Sequence, residues 1–244
     1  MKKLGKSLQI GLIIISCVLV GISQITGVVV ARSGVIVKNA PYSADTNSTT
    51  VQTLYDGNKI TNKYSTKVYR DSEGRTRTEQ ILSESEMKNS YNQQREIITI
   101  EDPVAGFSYY LNPTTKTARR VELKPYESPV QTMTNEQREN LSKSYSSLRS
   151  DLSERTIEGL VCRGSSTKTT TAAGIVGNER ELVMTTESWY SSELKITVMM
   201  KTTDPRFGDR TLELKNISRN EPDKSLFIVP KDYKIIVVTP LKEE

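Results

Sequence analysis

The sequence has no histidine and only two cysteines, Cys17 and Cys162, in 244 residues. The first absence removes the side chain most used as a general base near neutral pH. It also removes the Ser-His and Cys-His nucleophile pairs and the commonest zinc ligand. The second leaves no Cys-x-x-Cys spacing and no thiolate cluster to hold a metal. There is no glycine-rich phosphate loop either. The stretch "DSEGRTR", Asp71 to Arg77, has one glycine and no Lys-Ser/Thr ending. Carboxylates remain as candidate acids, but Glu101 with Asp102 and Asp204 with Asp209 fall at turns, where aspartate bonds its own backbone. A glycosidase would need two carboxyls facing a cleft. The expectation is a protein that is not an enzyme, with no cofactor and no metal site.

Charge is also scarce as a net quantity. The chain has 34 basic and 29 acidic residues, a difference of +5. Three of the lysines, Lys2, Lys3 and Lys6, precede an apolar run, and without residues 1–31 the count is 31 against 29, or +2. Basic residues elsewhere are interleaved with acids, so no basic stripe for a nucleic acid is expected.

The first 31 residues read as an export segment. "IGLIIISCVLVGIS", Ile10 to Ser23, follows the basic head, and Val29 and Ala31 stand two apart, as a signal peptidase requires. From Ile10 to Ala31 there are 22 residues with only Ser16, Ser23, Gln24 and Thr26 polar, so an uncleaved anchor in the inner membrane is an open alternative. "IISC", Ile14 to Cys17, is a third reading, a lipid attachment site. All three place the remaining chain, 32–244, outside the cytoplasm as a single β-rich domain, periplasmic or extracellular. With the signal cleaved, Cys162 is alone and no internal disulfide forms. A buried thiol in a strand is the reading that suits it.

Beyond that segment, short runs with strand character alternate with turn signals. Asp56-Gly57 marks a hairpin. In "YRDSEGRTRTE", Tyr69 to Glu79, residues 71–74 suit a four-residue turn. Arg75, Arg77 and Glu79 then alternate with Thr76, Thr78 and Gln80 in strand fashion. Arg70, Arg75 and Arg77 could instead form an anion patch, neutralised by Asp71, Glu73 and Glu79. "EMKNSYNQQRE" reads as a connection. Three strands follow, "EIITIE", "FSYYL" and "KTARRVEL", separated by turns at Pro103 and Pro113. A Pro-containing connection and a helix are expected at about 124–155. Thr134 and Gln137 form a capping box, and Leu141, Tyr145, Leu148 and Leu152 recur at helical spacing over 134–152. Gly159 and Gly164 are candidate bulges. Four more strands and a closing pair split by Pro230 complete the chain. The predicted class is mainly β (α+β): a strongly curved antiparallel sheet or unclosed barrel of about 10–11 strands, with one helix against or near its concave face.

Several phrases carry a family resemblance. "LYDGNKI", "DPVAGFSYYLNPTTKTARR", "AAGIVGNERELVMTTESWYSSELKITVMM" and "TTDPRFGDRTLELKNISRNEPDKSLFIVPKDY" resemble, in this order over roughly residues 40–238, a family of uncharacterised exported bacterial proteins. "TIEGLVC", "ESWYSSELKI" and "LFIVPKDY" bear a more distant resemblance to the superfamily of the periplasmic lipoprotein carriers LolA and LolB and the sigma-regulator-binding protein RseB. The resemblance implies an unclosed barrel wrapped around helices, able to hold acyl chains on its concave side. It also implies a lipid, a lipoprotein or an envelope protein as partner. On that reading the candidate ligand-binding residues are Trp189, Leu194, Ile196, Val198, Tyr109 and Phe227, with helix 134–152 as a gate. As core, the same residues would simply fill a curved sheet. The alternative is a membrane-anchored structural or signalling module of the envelope, touching the membrane through residues 10–31.

Overall fold

Turn chemistry sets the strand boundaries. Asp71 is the fixed point of the tight reversal at residues 71–75. Its carboxylate accepts from the backbone of Glu73 (3.0 Å) and Arg75 (2.8 Å) and from Arg75 Nε at 2.6 Å. Asp102 accepts from Val104 and Ala105, and Asn112 from Thr114 and Thr115, in the same way. In each case a short polar side chain replaces the backbone partner that the bend removes.

The computed structural model describes residues 36–81, 96–123 and 133–238. Twelve strands are delimited: β1 (Tyr42–Thr53), β2 (Lys59–Arg70), β3 (Thr76–Ile81), β4 (Glu96–Asp102), β5 (Phe107–Asn112), β6 (Thr117–Glu122), β7 (Tyr145–Ile157), β8 (Leu160–Thr171), β9 (Leu182–Ser191), β10 (Ile196–Asp204), β11 (Gly208–Ser218) and β12 (Lys234–Val237). They form one sheet in the order β12-β6-β5-β4-β3-β2-β1-β11-β10-β9-β8-β7. β12 and β7 are its two edges and do not pair, so the sheet is not closed. The mainly β, curved and unclosed architecture expected from the sequence is therefore present. The export segment, the "EMKNSYNQQRE" connection except its last residue, and most of the Pro-containing connection lie outside the described residues. No helix among the described residues is long and apolar enough to cross a membrane.

Three details differ from the expectation. First, the strand count is twelve. Second, the helix, α1, is Asn135–Ser144, and Leu148 and Leu152 lie in β7. The capping box of Thr134 and Gln137 is as read. The helix ends where serines accumulate at 144, 146 and 147. These are weak helix formers, and β8 offers an edge with which eleven of the thirteen residues of β7 pair. α1 buries no residue, and its main neighbour is β7. Third, "SLFIV" is not a strand. Lys224–Phe227 is a single 3-10 turn, and β12 pairs with β6 in parallel, an exception to the antiparallel meander.

Curvature is visible at one end. Glu158, at the tip of the β7–β8 hairpin, accepts from the backbone of Asn216 at 3.1 Å, and Arg219 Nη2 donates to Gly159 O at 2.7 Å. β8 and β11 are separated by β9 and β10, so the tip reaches across two strands. Register shifts in the β7–β8, β9–β10 and β1–β11 pairs supply the local bends.

Two apolar clusters result. The larger joins Tyr42, Ala44, Val68, Leu160, Cys162, Trp189, Leu194, Ile196, Val198 and Leu214. The smaller joins Ile98, Ile100, Leu111 and Ala118, with Tyr109, Val229 and Tyr233 packed on it. They lie on opposite faces of the sheet. Ala44 is paired with Val68, Val68 with Thr78 and Thr78 with Thr99 in unbroken register, and the neighbours of Thr99, Ile98 and Ile100, point the other way.

Candidate functional site

The six sequence-nominated residues divide between the two faces. Trp189, Leu194, Ile196 and Val198 meet in the larger cluster, at 2%, 3%, 9% and 0% exposure. Burying each such side chain contributes about 1.5–3 kcal/mol, the ordinary worth of a core position. Tyr109 belongs with the smaller cluster on the reverse face. Phe227 is buried in the 3-10 turn that packs on β3 and β4. The structure thus brings four of the six together and sets the other two apart, and the chain's own side chains surround the four.

Trp189 shows how tightly that end is built. It stands opposite Gly164 in the β8–β9 ladder. A Cβ on Gly164 would lie 2.8 Å from Leu152 Cβ and 2.9 Å from Trp189 Nε1, so only glycine admits the indole here. Arg155 covers the ring with its guanidinium 4.5 Å from the centroid. The indole N–H is buried without an acceptor among the described residues. Cys162 lies in the same cluster, and burial pushes its thiol pKa up, which keeps it protonated and unreactive at neutral pH.

The arginines of "YRDSEGRTRTE" do three different jobs. Arg70 is 3% exposed. It donates from Nε and Nη2 to Ala40 O at 2.9 and 2.8 Å, and from Nη2 to Leu194 O. It also stacks on Tyr42 at 4.7 Å. Burial lowers its pKa, opposed by the phenols of Tyr42 and Tyr190. Burial likewise drives the Tyr42 phenol up to about 12 against the pull of Arg70. Arg70 thereby ties the β9–β10 turn to the end of β2. Arg75 binds Asp71 and Glu73 and lies over Phe227. Arg77 pairs with Glu79 and donates to Leu226 O at 3.0 Å. The guanidiniums are spent on the fold and do not converge on an anion. Asp204 is spent likewise, accepting from the backbone and side chain of Arg206.

One accessible apolar row lies on the side of the sheet that carries Val68. Along β4, β5, β6 and β12, Ile97, Tyr110, Arg119 and Ile236 share that face: Thr99 pairs with Tyr110, Tyr110 with Arg119, and Arg119 with Ile236. Ile97, Tyr110 and Ile236 are 37%, 47% and 43% exposed. The sequence reading passed over this row. Its signal was available as Ile97 and Tyr110 falling on the same side of adjacent strands, but it depended on placing β12 beside β6.

One further hollow is polar, lined by Ser43, Asp45, Lys67, Tyr69 and Asn216 where the β1–β11 register shifts. Asn216 Nδ2 already donates to Asp45 across it at 2.8 Å.

No protein-family model matches the chain. No curated protein matches it either. Solved structures do. An uncharacterised conserved protein of Thermus thermophilus is similar at 10% identity, over 82% of this chain and 91% of that one, with a TM-score of 0.43. A chain of the Pseudomonas aeruginosa MucA/MucB complex is similar at 7% identity over 82% of this chain, with a TM-score of 0.43; this chain spans 59% of its length. A LolA superfamily protein of Nitrosomonas europaea is similar at 10% identity, over 78% of this chain and 90% of that one, with a TM-score of 0.35.

Proposed function

We propose that this chain is an exported binding protein, not an enzyme, that takes a partner polypeptide against the open part of its sheet. The observation that carries the reading is the division of its apolar surface. The residues suited to line an acyl-chain cavity, Trp189, Leu194, Ile196 and Val198, are packed against one another. The half-exposed row Ile97, Tyr110 and Ile236 lies open on an unclosed sheet. An extended polypeptide suits such a sheet, because its apolar side chains can lie on the row while its backbone pairs at the edge strand β12, where the row ends at Ile236. The absence of histidine and the use of Asp71, Asp102 and Asp204 as turn anchors support the non-enzymatic reading. Export rests on the basic head and apolar run of residues 1–31.

Native mass spectrometry of the chain purified from the periplasm of an expressing bacterium tests this. A co-purifying polypeptide released by mild acid is the expected result. A fatty acid or phospholipid mass released by detergent would replace the polypeptide reading with lipid carriage.

A further inference from the structure

The two edges of the sheet are built differently. β7 is thirteen residues long, carries charges of both signs at Arg149, Asp151, Glu154 and Arg155, and contains a bulge between Leu152 and Arg155. Those are the usual devices against edge pairing. β12 has none of the bulge or the mixed charge. It is Lys-Ile-Ile-Val, and Ile235, Ile236 and Val237 are 47%, 43% and 60% exposed.

The ladder to β6 fixes which backbone groups of β12 are free. Lys234 N donates to Lys116 O at 2.8 Å and Val238 N to Arg120 O at 2.9 Å. In a parallel pair, alternate residues turn both N–H and C=O to the same neighbour. Residues 234, 236 and 238 therefore serve β6, and Ile235 and Val237 turn theirs outward.

Cations outnumber acids at this edge. Arg119 and Arg120 stand beside Ile236 and Val237 in the register, and Lys231 and Lys234 precede and open the strand. None of the four has an ion-pair partner among the described residues. Arg120 is stacked on Phe107 at 4.5 Å, and its buried Nε has no acceptor among them. The nearby acid Asp232 is held by Lys116 at 3.2 Å, and Glu122 lies at the far end of β6.

We propose that the outer edge of β12 binds an extended acidic peptide, an added strand with carboxylates on the face of Arg119 and Lys234 and apolar side chains on the face of Ile235 and Val237. This rests on the polypeptide reading above and gives the partner a place and a chemistry. A second copy of this chain would bring its own four cations against these, so charge complementarity selects the acidic peptide over self-pairing.

The test uses the chain as exported and a fluorescein-labelled octapeptide of alternating valine and glutamate with blocked ends, followed by anisotropy at low salt. Saturable binding is expected, weakened at least tenfold by 0.3 M salt and absent for the valine–lysine counterpart. Val237→Pro removes an outward N–H and none that serves β6, and a proline with its N–H side facing solvent is tolerated on an edge. This variant is expected to keep the parent unfolding midpoint and to lose at least tenfold in affinity. Arg119→Gln is expected to lose several-fold and to flatten the salt dependence. Binding unchanged in Val237→Pro, or by the peptide N-methylated at alternate residues, would overturn the edge proposal while leaving a polypeptide binder. No binding of either peptide would also overturn it, and a co-purifying polypeptide in the native mass spectrum would then show that the broader reading survives. Concentration-dependent dimerisation abolished by Val237→Pro would assign the edge to self-pairing and overturn the peptide as its occupant.

Discussion

Replacing Arg70 with methionine separates the two halves of the larger cluster at a defined point. The stem volume is kept, and the guanidinium that bonds Ala40 O and Leu194 O is lost. Each buried carbonyl left without a donor costs about 1–3 kcal/mol. Loss of the stack on Tyr42 adds about 1 kcal/mol. Against this, methionine no longer requires a desolvated cation, and replacing buried charges by apolar groups can return about 1–4 kcal/mol. The carbonyls stay in place and methionine satisfies neither, so the balance is a net loss of about 2–3 kcal/mol. Arg70→Lys should lose less, because an ammonium reaches one carbonyl but cannot span both as a fork does. Urea unfolding followed by the emission of Trp189, the one tryptophan, reads the change from inside the same cluster. A methionine variant within about 0.5 kcal/mol of the parent would refute the reasoning, since relief of desolvation would then equal the bonds lost.

Other outcomes follow from single contacts. Gly164→Ala places a methyl against Leu152, Trp189 and Ser153, and should cost about 1–3 kcal/mol with a shift in tryptophan emission; unchanged emission and stability would contradict the packing described. Gly208→Ala combines a φ of 86° with a Cβ driven into Val51 O, and should cost more than Gly164→Ala in the same urea assay. Burial alone would raise the Asp204 pKa, but the bonds and charge of Arg206 outweigh it and hold it below its ordinary value. Its stabilising contribution is therefore present above the unfolded pKa of about 3.9 and is lost as pH falls through the folded one. Asp204→Asn should remove that part of the acid limb of a stability–pH curve. Glu101 has the opposite sign: burial raises its pKa, partly offset by a bond from Thr76. Stability linked to it falls as pH rises from the unfolded value through the folded one. Glu101→Gln should thus raise stability at pH 7 more than at pH 4, read by the same unfolding curves.

Local chemistry made most of the strands legible. Asp56-Gly57, the Asp71 turn, Asp102 to Gly106 and Asn112-Pro113 each bend the chain through side-chain-to-backbone bonds that sequence neighbours supply. The helix was half legible. Its capping box is local, but its end was decided by β8, a strand that the spacing of Leu148 and Leu152 cannot reveal. The face on which a residue lies was not legible beyond one hairpin. Tyr109 and Phe227 were grouped with Trp189 on aromatic character, yet unbroken register through β2, β3 and β4 puts the smaller cluster on the reverse face. The pairing of β12 with β6 joins residues more than a hundred positions apart, and with it the row of Ile97, Tyr110 and Ile236 and the free edge were hidden.

The measurement that bears most directly on the account is photocrosslinking in the producing bacterium, with a benzophenone amino acid replacing Tyr110 and, as control, Tyr55, which is fully exposed at the β1–β2 turn. Polypeptide adducts at position 110 and none at 55 are the predicted result. Equal labelling at both positions, or adducts at 110 with lipid alone, would contradict the claim that this open face receives a polypeptide.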